Sequence, residues 1–306
     1  MKAVYFERHG GPEVLIYGEQ PDPVPGAGEI LIDIHAASVN GADWKVRAGE
    51  YAPLPVPHIL GRDFSGVVSA LGDGVTDFRI GDEVFGVCAP GQEGAYAERI
   101  AVKASIVARK PPAMSHVEAA ALALTGLTAL SAIEDTIRLQ AGESILIQGG
   151  AGGVASFAIQ LAKHIGARVI STASAANLDY VRSLGADEVI DYAVTDFTKA
   201  VRNLDAVFDT VGGEVALRSY AVLKPGGRAA FIASGLKAPP PRRPDVEALR
   251  PPVARGRAPL ERIAQLFTDG AVKAPAITVY RLEDAPEAHR VSEGRHLRGK
   301  LVFRIR

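Results

Sequence analysis

A chain of 306 residues exceeds the size at which one hydrophobic core usually stops growing, so two domains are expected. Hydrophobic residues make up 47% and charged residues 23%, which is ordinary for a soluble globular protein and excludes bulk disorder. The formal net charge of -1 provides no overall attraction to nucleic acid or to an anionic membrane. Cys88 is the only cysteine, which excludes an internal disulfide and a cysteine-based metal cluster and fits a reducing cytoplasm.

The first part of the chain consists of short apolar runs separated by Gly, Pro and Asp, at 30–35, 66–71, 82–87 and 95–102. This pattern predicts a mostly antiparallel, barrel-like region. The N-terminus shows strand-like alternation without the long apolar core of a secretory signal. The longest apolar stretch, 119–132, is interrupted by Thr, Gly and Ser. Neither export nor membrane insertion is expected.

From Pro111 the chain changes to long segments compatible with helices. Ser115 and Glu118 form a capping-box pattern that predicts a helix start. Apolar strand and helix patterns then alternate, as a doubly wound parallel sheet requires. Residues 238–259 are rich in Pro and Arg and predict an irregular surface loop, and the strand texture after residue 276 predicts a return to the first region.

The turn at residues 150–155 matches the dinucleotide-binding pattern G-x-G-x-x-A between an apolar strand and a helix. Glycine permits a tight turn and a close approach of the backbone to a pyrophosphate, and the helix N-terminus offers free N–H groups. The alternative is a glycine turn with no ligand. The candidate cofactor contacts in this turn are Gly150, Ala151, Gly152, Gly153 and Val154.

The end of the second strand distinguishes NADPH from NADH. An NAD-preferring site usually has an acid about 20 residues after the first glycine, whereas residues 171–174 read Ser-Thr-Ala-Ser and Asp179 lies in the next predicted helix. A 2'-phosphate would therefore meet no repelling carboxylate, and NADPH is the expected cofactor. Ser174, Asn177 and Tyr192 are candidate neutral donors to the phosphate, although they equally suit helix caps and turns.

Several segments taken in order resemble the zinc-independent quinone oxidoreductase branch of the medium-chain dehydrogenases: ASVNGADWKVRAG, GRDFSGVV, GDEVFGV, GAYAER, GLTAL, GGAGGVASFAIQLAK, LGADEVIDY, LKPGG and RGKLVF. The resemblance runs nearly end to end. It implies an α/β protein in which a GroES-like β-barrel catalytic domain, residues 1–112 and 270–306, accompanies a Rossmann NADP-binding domain, residues 113–269.

Zinc-dependent relatives carry a Gly-His-Glu segment, where this chain has Gly61-Arg62-Asp63, and a cysteine at the position of Asn40. They also carry a lobe with four cysteines. A zinc site needs soft or imidazole ligands, three for a catalytic site and four for a structural one, and the seven histidines show no i, i+4 pair. No metal is expected.

By the same resemblance, four residues face the nicotinamide: Asn40, Asp43, Lys45 and Tyr51. Asn40 and Tyr51 are implied to hydrogen-bond an acceptor oxygen. Tyr51 is the candidate proton donor because a tyrosine with the reference pKa near 10 is protonated at neutral pH, and Lys45 is the candidate cation that would assist it. The alternative is that Asn40 and Asp43 only brace a turn while Tyr51 packs on neighbouring residues.

Five further residues, in three segments of the chain, are candidate cofactor contacts. Thr125 and Thr128 are expected at the start of the first Rossmann-domain helix, where they would orient the carboxamide end of the cofactor. Thr210 and Val211 follow the fourth strand, at the carboxyl edge where such sheets bind ligands. Lys300 belongs to the closing segment and is implied to reach toward the cofactor, although a solvated lysine fits the sequence equally well.

The leading hypothesis is an NADPH-dependent reductase that transfers hydride to quinones or α,β-unsaturated carbonyl compounds without zinc. An enoyl-thioester or alkenal reductase would use the same cofactor geometry. A non-enzymatic, crystallin-like or RNA-binding role has one supporting feature, the arginines at 242, 243, 250, 255 and 257, and no aromatic residues are interleaved for base stacking. A cytoplasmic homodimer joined along an edge strand at 228–233 is also expected.

Overall fold

The structure, a computed structural model, describes residues 1–51, 54–235, 237–241 and 243–306. The chain forms two compact units: the first comprises Met1–Leu124, Arg255–Thr268 and Ala274–Arg306, and the second comprises Thr125–Ala254 and Asp269–Lys273. The main difference from the predicted ranges is the helix at 257–268. That helix belongs to the first unit because it packs on two strands there and buries Leu260, Ile263 and Leu266.

The first unit is built mainly from strands: β1 (Lys2–Phe6), β2 (Ile16–Glu19), β3 (Glu29–Ser38), β4 (His58–Ile59), β5 (Asp63–Leu71), β6 (Glu83–Val87), β7 (Arg99–Lys103), β8 (Val107–Arg109), β15 (Ile277–Arg281) and β16 (Lys300–Arg304). Its helices are α1 (Gly41–Ala48), α7 (Arg257–Thr268), α8 (Ala285–Glu293) and the first part of α2 (His116–Leu130).

Two sheets organise these strands, in the orders β2-β1-β4 and β15-β16-β3-β5-β6-β8, with β7 also paired to β3. The pairings are antiparallel except for β15 with β16, which confirms the predicted mostly antiparallel region. The predicted return of the C-terminal strand is also confirmed, since Val302 of β16 lies opposite Ser38 of β3. This pairing brings Lys300 next to the start of α1.

The second unit alternates strands and helices: β9 (Ser144–Gln148), α3 (Gly153–Ile165), β10 (Arg168–Ala173), α4 (Leu178–Ser183), β11 (Glu188–Asp191), α5 (Phe197–Ala200), β12 (Leu204–Asp209), α6 (Gly213–Ser219), β13 (Leu223–Phe231) and β14 (Glu247–Leu249). The strand order is β11-β10-β9-β12-β13-β14, and all neighbours are parallel. This is the predicted doubly wound sheet. The direction of winding reverses between β9 and β12, which is where such sheets bind ligands.

Helix α2 begins as predicted. The Ser115 N–H donates to Glu118 Oε2 at 2.9 Å, and the Glu118 N–H donates to Ser115 Oγ at 3.2 Å. A π-helix, Ser131–Ile137, continues it. The expectation that Thr125 and Thr128 stand at a helix start is wrong, because the capping box starts the helix at His116 and both threonines are buried in its C-terminal half.

Within the described residues, one helical segment, His116–Ile137, is long and apolar enough to cross a membrane by length and composition. Since 78% of its most apolar window is buried inside the protein, the segment is equally typical of the core helix of a soluble protein.

The loop predicted at 238–259 is not wholly irregular. Residues Glu247–Leu249 form β14, which pairs in parallel with β13. The strand predicted at 228–233 is therefore internal, and its expected position at the sheet edge is wrong. The reason is that tertiary contacts, which a Pro- and Arg-rich composition does not indicate, hold this segment on the sheet. Val246 is buried in the sheet core, and Arg250 Nη1 donates to the Phe231 carbonyl at 2.6 Å.

Candidate functional site

The glycine-rich turn lies between β9 and α3, at the carboxyl end of β9. Gly149 has φ +75°, and a Cβ there would come within 2.9 Å of Thr210 Oγ1 and 3.0 Å of Val211 Cγ2. The turn thus contacts the segment that follows β12, the other strand at the reversal point. The sequence pattern, which began at Gly150, did not include this residue.

Gly150 is required because of a close approach rather than an unusual φ. A Cβ at this position would lie 2.3 Å from Ser171 Oγ and 2.9 Å from Val181 Cγ1. Ser171 cannot move away easily, because it is fully buried in β10 and its hydroxyl donates to the Ile147 carbonyl at 2.6 Å. The N–H groups of the first turn of α3, which includes Gly153, have no carbonyl partners within the helix and can meet an anion.

The segment after β12 is held by Asp209. Its carboxylate accepts N–H groups from Gly212 at 2.9 Å and from Val211 at 3.3 Å. Burial raises the pKa of Asp209, although these two N–H donors oppose the change. Thr210 Oγ1 donates to the Gln148 carbonyl at 2.8 Å, and the Val211 side chain is exposed. The two strand ends that flank the reversal point are therefore tied together, with an apolar side chain presented at their edge.

The second strand of the sheet, β10, ends at Ala173, and the described residues directly after it carry hydroxyl and amide groups. Asn177 Nδ2 donates to Ser174 Oγ at 3.1 Å, and the Tyr192 side chain is exposed. Asp179 lies in α4 as predicted, fully exposed and 2.7 Å from Arg182 Nη1. The residues directly after β10 thus carry no carboxylate, although Asp191 of β11 lies opposite Ala173 in the sheet. Whether Ser174, Asn177 and Tyr192 contact a phosphate stays a prediction.

In the first unit, Asn40 lies at the start of α1 within a network of buried charges. Its Nδ2 donates to Asp63 Oδ1 at 2.8 Å, and its Oδ1 accepts a hydrogen bond from Lys300 Nζ at 2.8 Å. Lys300 also donates to the Val39 carbonyl at 2.6 Å, and Ser38 Oγ donates to Asp63 Oδ2 at 2.9 Å. Lys300 is buried, so the solvated lysine that the sequence allowed is wrong.

Asp43 is the most perturbed acid of this region. Its Oδ2 accepts the Asn40 N–H at 2.9 Å and the Tyr96 hydroxyl at 2.7 Å. Its Oδ1 has no hydrogen-bond partner among the described residues, and Arg62 Nε lies 3.8 Å away. Burial raises the pKa of Asp43 to about 7, with Arg62 opposing that change and Glu93 adding to it. Asp43 does brace the start of α1, as the simpler alternative held.

Arg62 connects this acid to Glu93, since Arg62 Nε donates to Glu93 Oε1 at 2.9 Å. Burial alone would lower the pKa of Arg62, but the Asp43 and Glu93 carboxylates raise it overall, and Tyr51 is near enough to add to this effect. Tyr51 is half exposed, whereas Lys45 Nζ stands over the Trp44 ring, 5.4 Å from its centroid. Arg62 is therefore a cation that interacts with Tyr51.

Comparison with known proteins places the chain in a family. Residues 26–112 match the family described as alcohol dehydrogenase GroES-like domain, and residues 184–303 match the family described as zinc-binding dehydrogenase. The chloroplastic quinone-oxidoreductase QR1 of Triphysaria versicolor is 31% identical over 99% of this chain and 98% of its own length. This chain belongs to the quinone oxidoreductase branch of the medium-chain dehydrogenases. The predicted resemblance is confirmed.

Two other members of the superfamily bear on the chemistry. The 2-methylene-furan-3-one reductase of Solanum lycopersicum is 40% identical over 78% of this chain, which spans 64% of that protein's length. The quinone oxidoreductase of Escherichia coli, solved in complex with NADPH, aligns over 100% of both chains with a TM-score of 0.91 and 28% identity. The predicted combination of a GroES-like domain and a Rossmann domain is confirmed.

Four residues of the hydrogen-bond network around Asn40 and Asp43 were not predicted from the sequence: Ser38, Asp63, Glu93 and Tyr96. Asp63 and Tyr96 stand in GRDFSGVV and GAYAER, two of the segments that carry the family resemblance. Their presence in those segments was the available signal. Nothing in the local pattern indicates that each would bind a residue of the Asn40 segment, because the partners lie 23 and 53 positions apart.

The arginines that favoured nucleic-acid binding are engaged with the protein. Arg243 pairs with Asp245, Arg250 binds the Phe231 carbonyl, Arg255 donates to the Cys88 carbonyl and Arg257 donates to the Val107 carbonyl. Arg242 lies outside the described residues.

Across the described part of the chain, no group of three or more His, Cys, Asp or Glu side chains is arranged to hold a metal ion.

Proposed function

We propose that this chain is an NADPH-dependent oxidoreductase that reduces quinones or α,β-unsaturated carbonyl compounds without zinc. The observation that carries the proposal is the glycine turn at the reversal point of a parallel sheet, in a chain of this family. The predicted division into a catalytic domain and an NADP-binding domain is part of the same proposal.

The residues of the second unit fit the cofactor. The space beside Gly150 is filled by Ser171, so the backbone of the turn stays bare, and the first turn of α3 offers N–H groups to a pyrophosphate. The end of β10 presents Ser174 and Asn177 in place of an acid, which suits a 2'-phosphate. When bound, NADPH supplies the hydride. Gly149–Val154, Thr210 and Val211 would hold it, and Thr125 and Thr128 are proposed to orient its carboxamide end.

The residues of the first unit act on the acceptor. A quinone or an enone gains two electrons and two hydrogens, one as hydride and one as a proton, so the protein must deliver a proton. Tyr51 is the proposed donor, and Arg62 is proposed as the cation beside it, since the predicted Lys45 lies over the Trp44 ring. Asn40 is proposed to bind the acceptor oxygen through its amide.

The experiment that tests the proposal measures NADPH oxidation by the purified protein with a panel of benzoquinones, naphthoquinones, enals and enones, and repeats it with NADH. We expect turnover with at least one acceptor class, and a higher kcat/KM with NADPH than with NADH. Activity should survive dialysis against a chelator, with metal content measured before and after. Oxidation of NADPH with no member of the panel would reject the proposal.

Tyr51→Phe tests the proton donor. We expect kcat for the acceptor to fall by roughly 10²-fold, the usual size of a general-acid contribution, with little change in the Kd for NADPH. Tyr17→Phe serves as a control, because Tyr17 is an exposed tyrosine of β2 in the same unit and has no proposed role in binding or proton transfer. An unchanged kcat in Tyr51→Phe would reject Tyr51 as the donor.

Alkene reduction is the second candidate activity, favoured by the 40% identity to a reductase named for an exocyclic enone. Parallel kcat/KM values for matched quinones and enones separate the two activities.

We also propose a cytoplasmic homodimer. With β13 internal, the edge strands of this sheet are β11 and β14, and β14 replaces β13 as the proposed contact edge. A monomer in sedimentation velocity would reject the dimer.

A further inference from the structure

Lys300 is an unusual residue within the first unit because its ammonium is buried. The side chain is 4% exposed, and Nζ donates to the Val39 carbonyl at 2.6 Å and to Asn40 Oδ1 at 2.8 Å. A buried ammonium is costly unless it is paired and hydrogen-bonded. Burial lowers the pKa of Lys300, and the carboxylates of Asp63 and Asp43 oppose that change by favouring the charged form. Both partners of Nζ are acceptors, so the geometry suits an ammonium next to one side-chain amide.

The amide of Asn40 stands between opposite charges. An ammonium can only donate, so the atom facing Lys300 must be Oδ1, and a carboxylate can only accept, so the atom facing Asp63 must be Nδ2. The two charged partners therefore determine the orientation of the amide. Asp63 is itself held by Ser38 Oγ, which donates to its Oδ2 at 2.9 Å. Reversal of the Asn40 amide would place two donors face to face and two acceptors face to face.

This arrangement leaves one N–H of Asn40 weakly used. Nδ2 carries two hydrogens; one is directed to Asp63 at 2.8 Å, and the other faces the Ser38 carbonyl at 3.4 Å, the long limit of a hydrogen bond. An ammonium that binds the amide oxygen withdraws electrons from the amide nitrogen and makes its N–H groups stronger donors. Asn40 is half-buried, so this second N–H remains available to an incoming acceptor oxygen.

We propose that Lys300 is a positioning residue, which orients and polarises the Asn40 amide so that its second Nδ2–H binds the oxygen of the quinone or enone. The proposal rests on the proposed function, and it replaces the predicted contact of Lys300 with the cofactor. Two readouts distinguish the roles. If Lys300 contacts the cofactor, its substitution weakens NADPH binding. If Lys300 positions Asn40, its substitution slows the step that involves the acceptor.

Lys300→Met removes the charge and the donor, and Lys300→Gln keeps a neutral N–H donor on a side chain one bond shorter. We expect kcat/KM for the acceptor to fall about 10²-fold in Lys300→Met and about tenfold in Lys300→Gln, as for loss or weakening of one oriented donor. The Kd for NADPH, measured by fluorescence titration, should change less than about threefold. Lys103→Met, at an exposed lysine of the same unit, is the matched control and should retain wild-type values.

A double-variant cycle makes the coupling explicit. In an Asn40→Ala background, Lys300→Met should cause little further loss of kcat/KM, because the amide it positions is gone. Losses that multiply, or a tenfold weaker Kd for NADPH with an unchanged acceptor step, would overturn the proposal. The first result would show that Lys300 acts independently of Asn40, and the second would restore the cofactor contact.

A spectroscopic measurement keeps the inference testable even without turnover. The chain contains three asparagines, Asn40, Asn177 and Asn203, so 15N-asparagine labelling produces three side-chain NH2 signal pairs. We expect Lys300→Met and Lys300→Gln to shift only the Asn40 pair, with the larger shift in Lys300→Met. An unmoved Asn40 pair would overturn the proposal. Failure of the wild type with every acceptor would instead reject the proposed function.

Discussion

The two candidate regions of this protein are built on opposite principles. The glycine turn of the second unit is made of backbone and hydroxyl groups. Steric exclusion determines its shape, since a Cβ at Gly150 would collide with Ser171. The Asn40 region of the first unit is made of charged side chains in the interior, with Lys300, Asp63 and Asp43 all buried. The turn suits a ligand that supplies its own charge, whereas the Asn40 region supplies the charges itself.

The two regions are therefore sensitive to different kinds of substitution. In the turn, adding one methyl group is disruptive because the neighbouring atoms are fixed by their own hydrogen bonds. In the Asn40 region, removing one charge is disruptive because the opposite charge is left buried and unpaired. Four substitutions test this contrast, in order of decreasing expected effect.

The largest effect is expected for Asp63→Ala. The substitution removes the acceptor of Asn40 Nδ2 and Ser38 Oγ and takes a compensating charge from Lys300, so the free energy of unfolding should fall by about 3–5 kcal/mol in urea denaturation. Asp22→Ala, at an exposed carboxylate of the same unit paired with Arg99, should cost no more than about 1 kcal/mol. Equal losses in both variants would contradict the idea that burial sets the cost.

Asp43 should make stability depend on pH. Because its folded pKa of about 7 exceeds the ordinary value of 3.8, the protonated form stabilises the fold; this contribution is complete below pH 3.8 and is lost as pH rises through 7. Each pH unit in that interval is worth about 1.4 kcal/mol, so the stability difference between wild type and Asp43→Asn should change by about 4 kcal/mol between pH 4 and pH 8.

The wild-type carboxyl faces Arg62, Glu93 and Tyr96, which remain in the Asp43→Asn variant, so the difference isolates Asp43 itself. The measurement is urea denaturation at intervals of one pH unit. Asp179→Asn, at a fully exposed carboxylate, is the control and should show a constant difference from wild type. A constant difference for Asp43→Asn as well would contradict the raised pKa.

In the turn, Gly150→Ala should lower the free energy of unfolding by about 1–3 kcal/mol, the range for overpacking, and should weaken NADPH binding as the backbone is displaced. Gly152→Ala is the control for stability, because a Cβ there would have only the Gly149 carbonyl at 3.5 Å and φ is -75°. Thermal unfolding of both variants checks this. A stable Gly150→Ala protein would show that Ser171 can move.

The smallest effect is expected for Ser174→Asp, which places a carboxylate directly after β10. Repulsion of the 2'-phosphate should lower the ratio of kcat/KM for NADPH to that for NADH by about tenfold. Ser183→Asp, which adds the same charge at an exposed position of α4, should leave the ratio unchanged. A ratio that stays at the wild-type value in Ser174→Asp would place the phosphate elsewhere.

Much of the fold could be predicted from local pattern. The capping box at Ser115 and the turn at Gly150 were predicted because each depends on neighbours within a few positions. The parallel sheet was predicted because its strand and helix patterns alternate along the chain. Strand β14 could not be predicted, since its three residues become a strand only by pairing with β13. The same cause accounts for the error in the position of the sheet edge.

The candidate site divides in the same way. The sequence determined that a bare glycine turn precedes a helix and that no acid follows the second strand, because both are properties of consecutive residues. Only the tertiary structure decided that Lys300 binds Asn40, 260 positions away in the sequence. The same is true of Asp43, which accepts the Tyr96 hydroxyl and lies beside Arg62. The physical reason is that a buried charge is stable only beside its partner, and that partner is chosen by the packing of the strands.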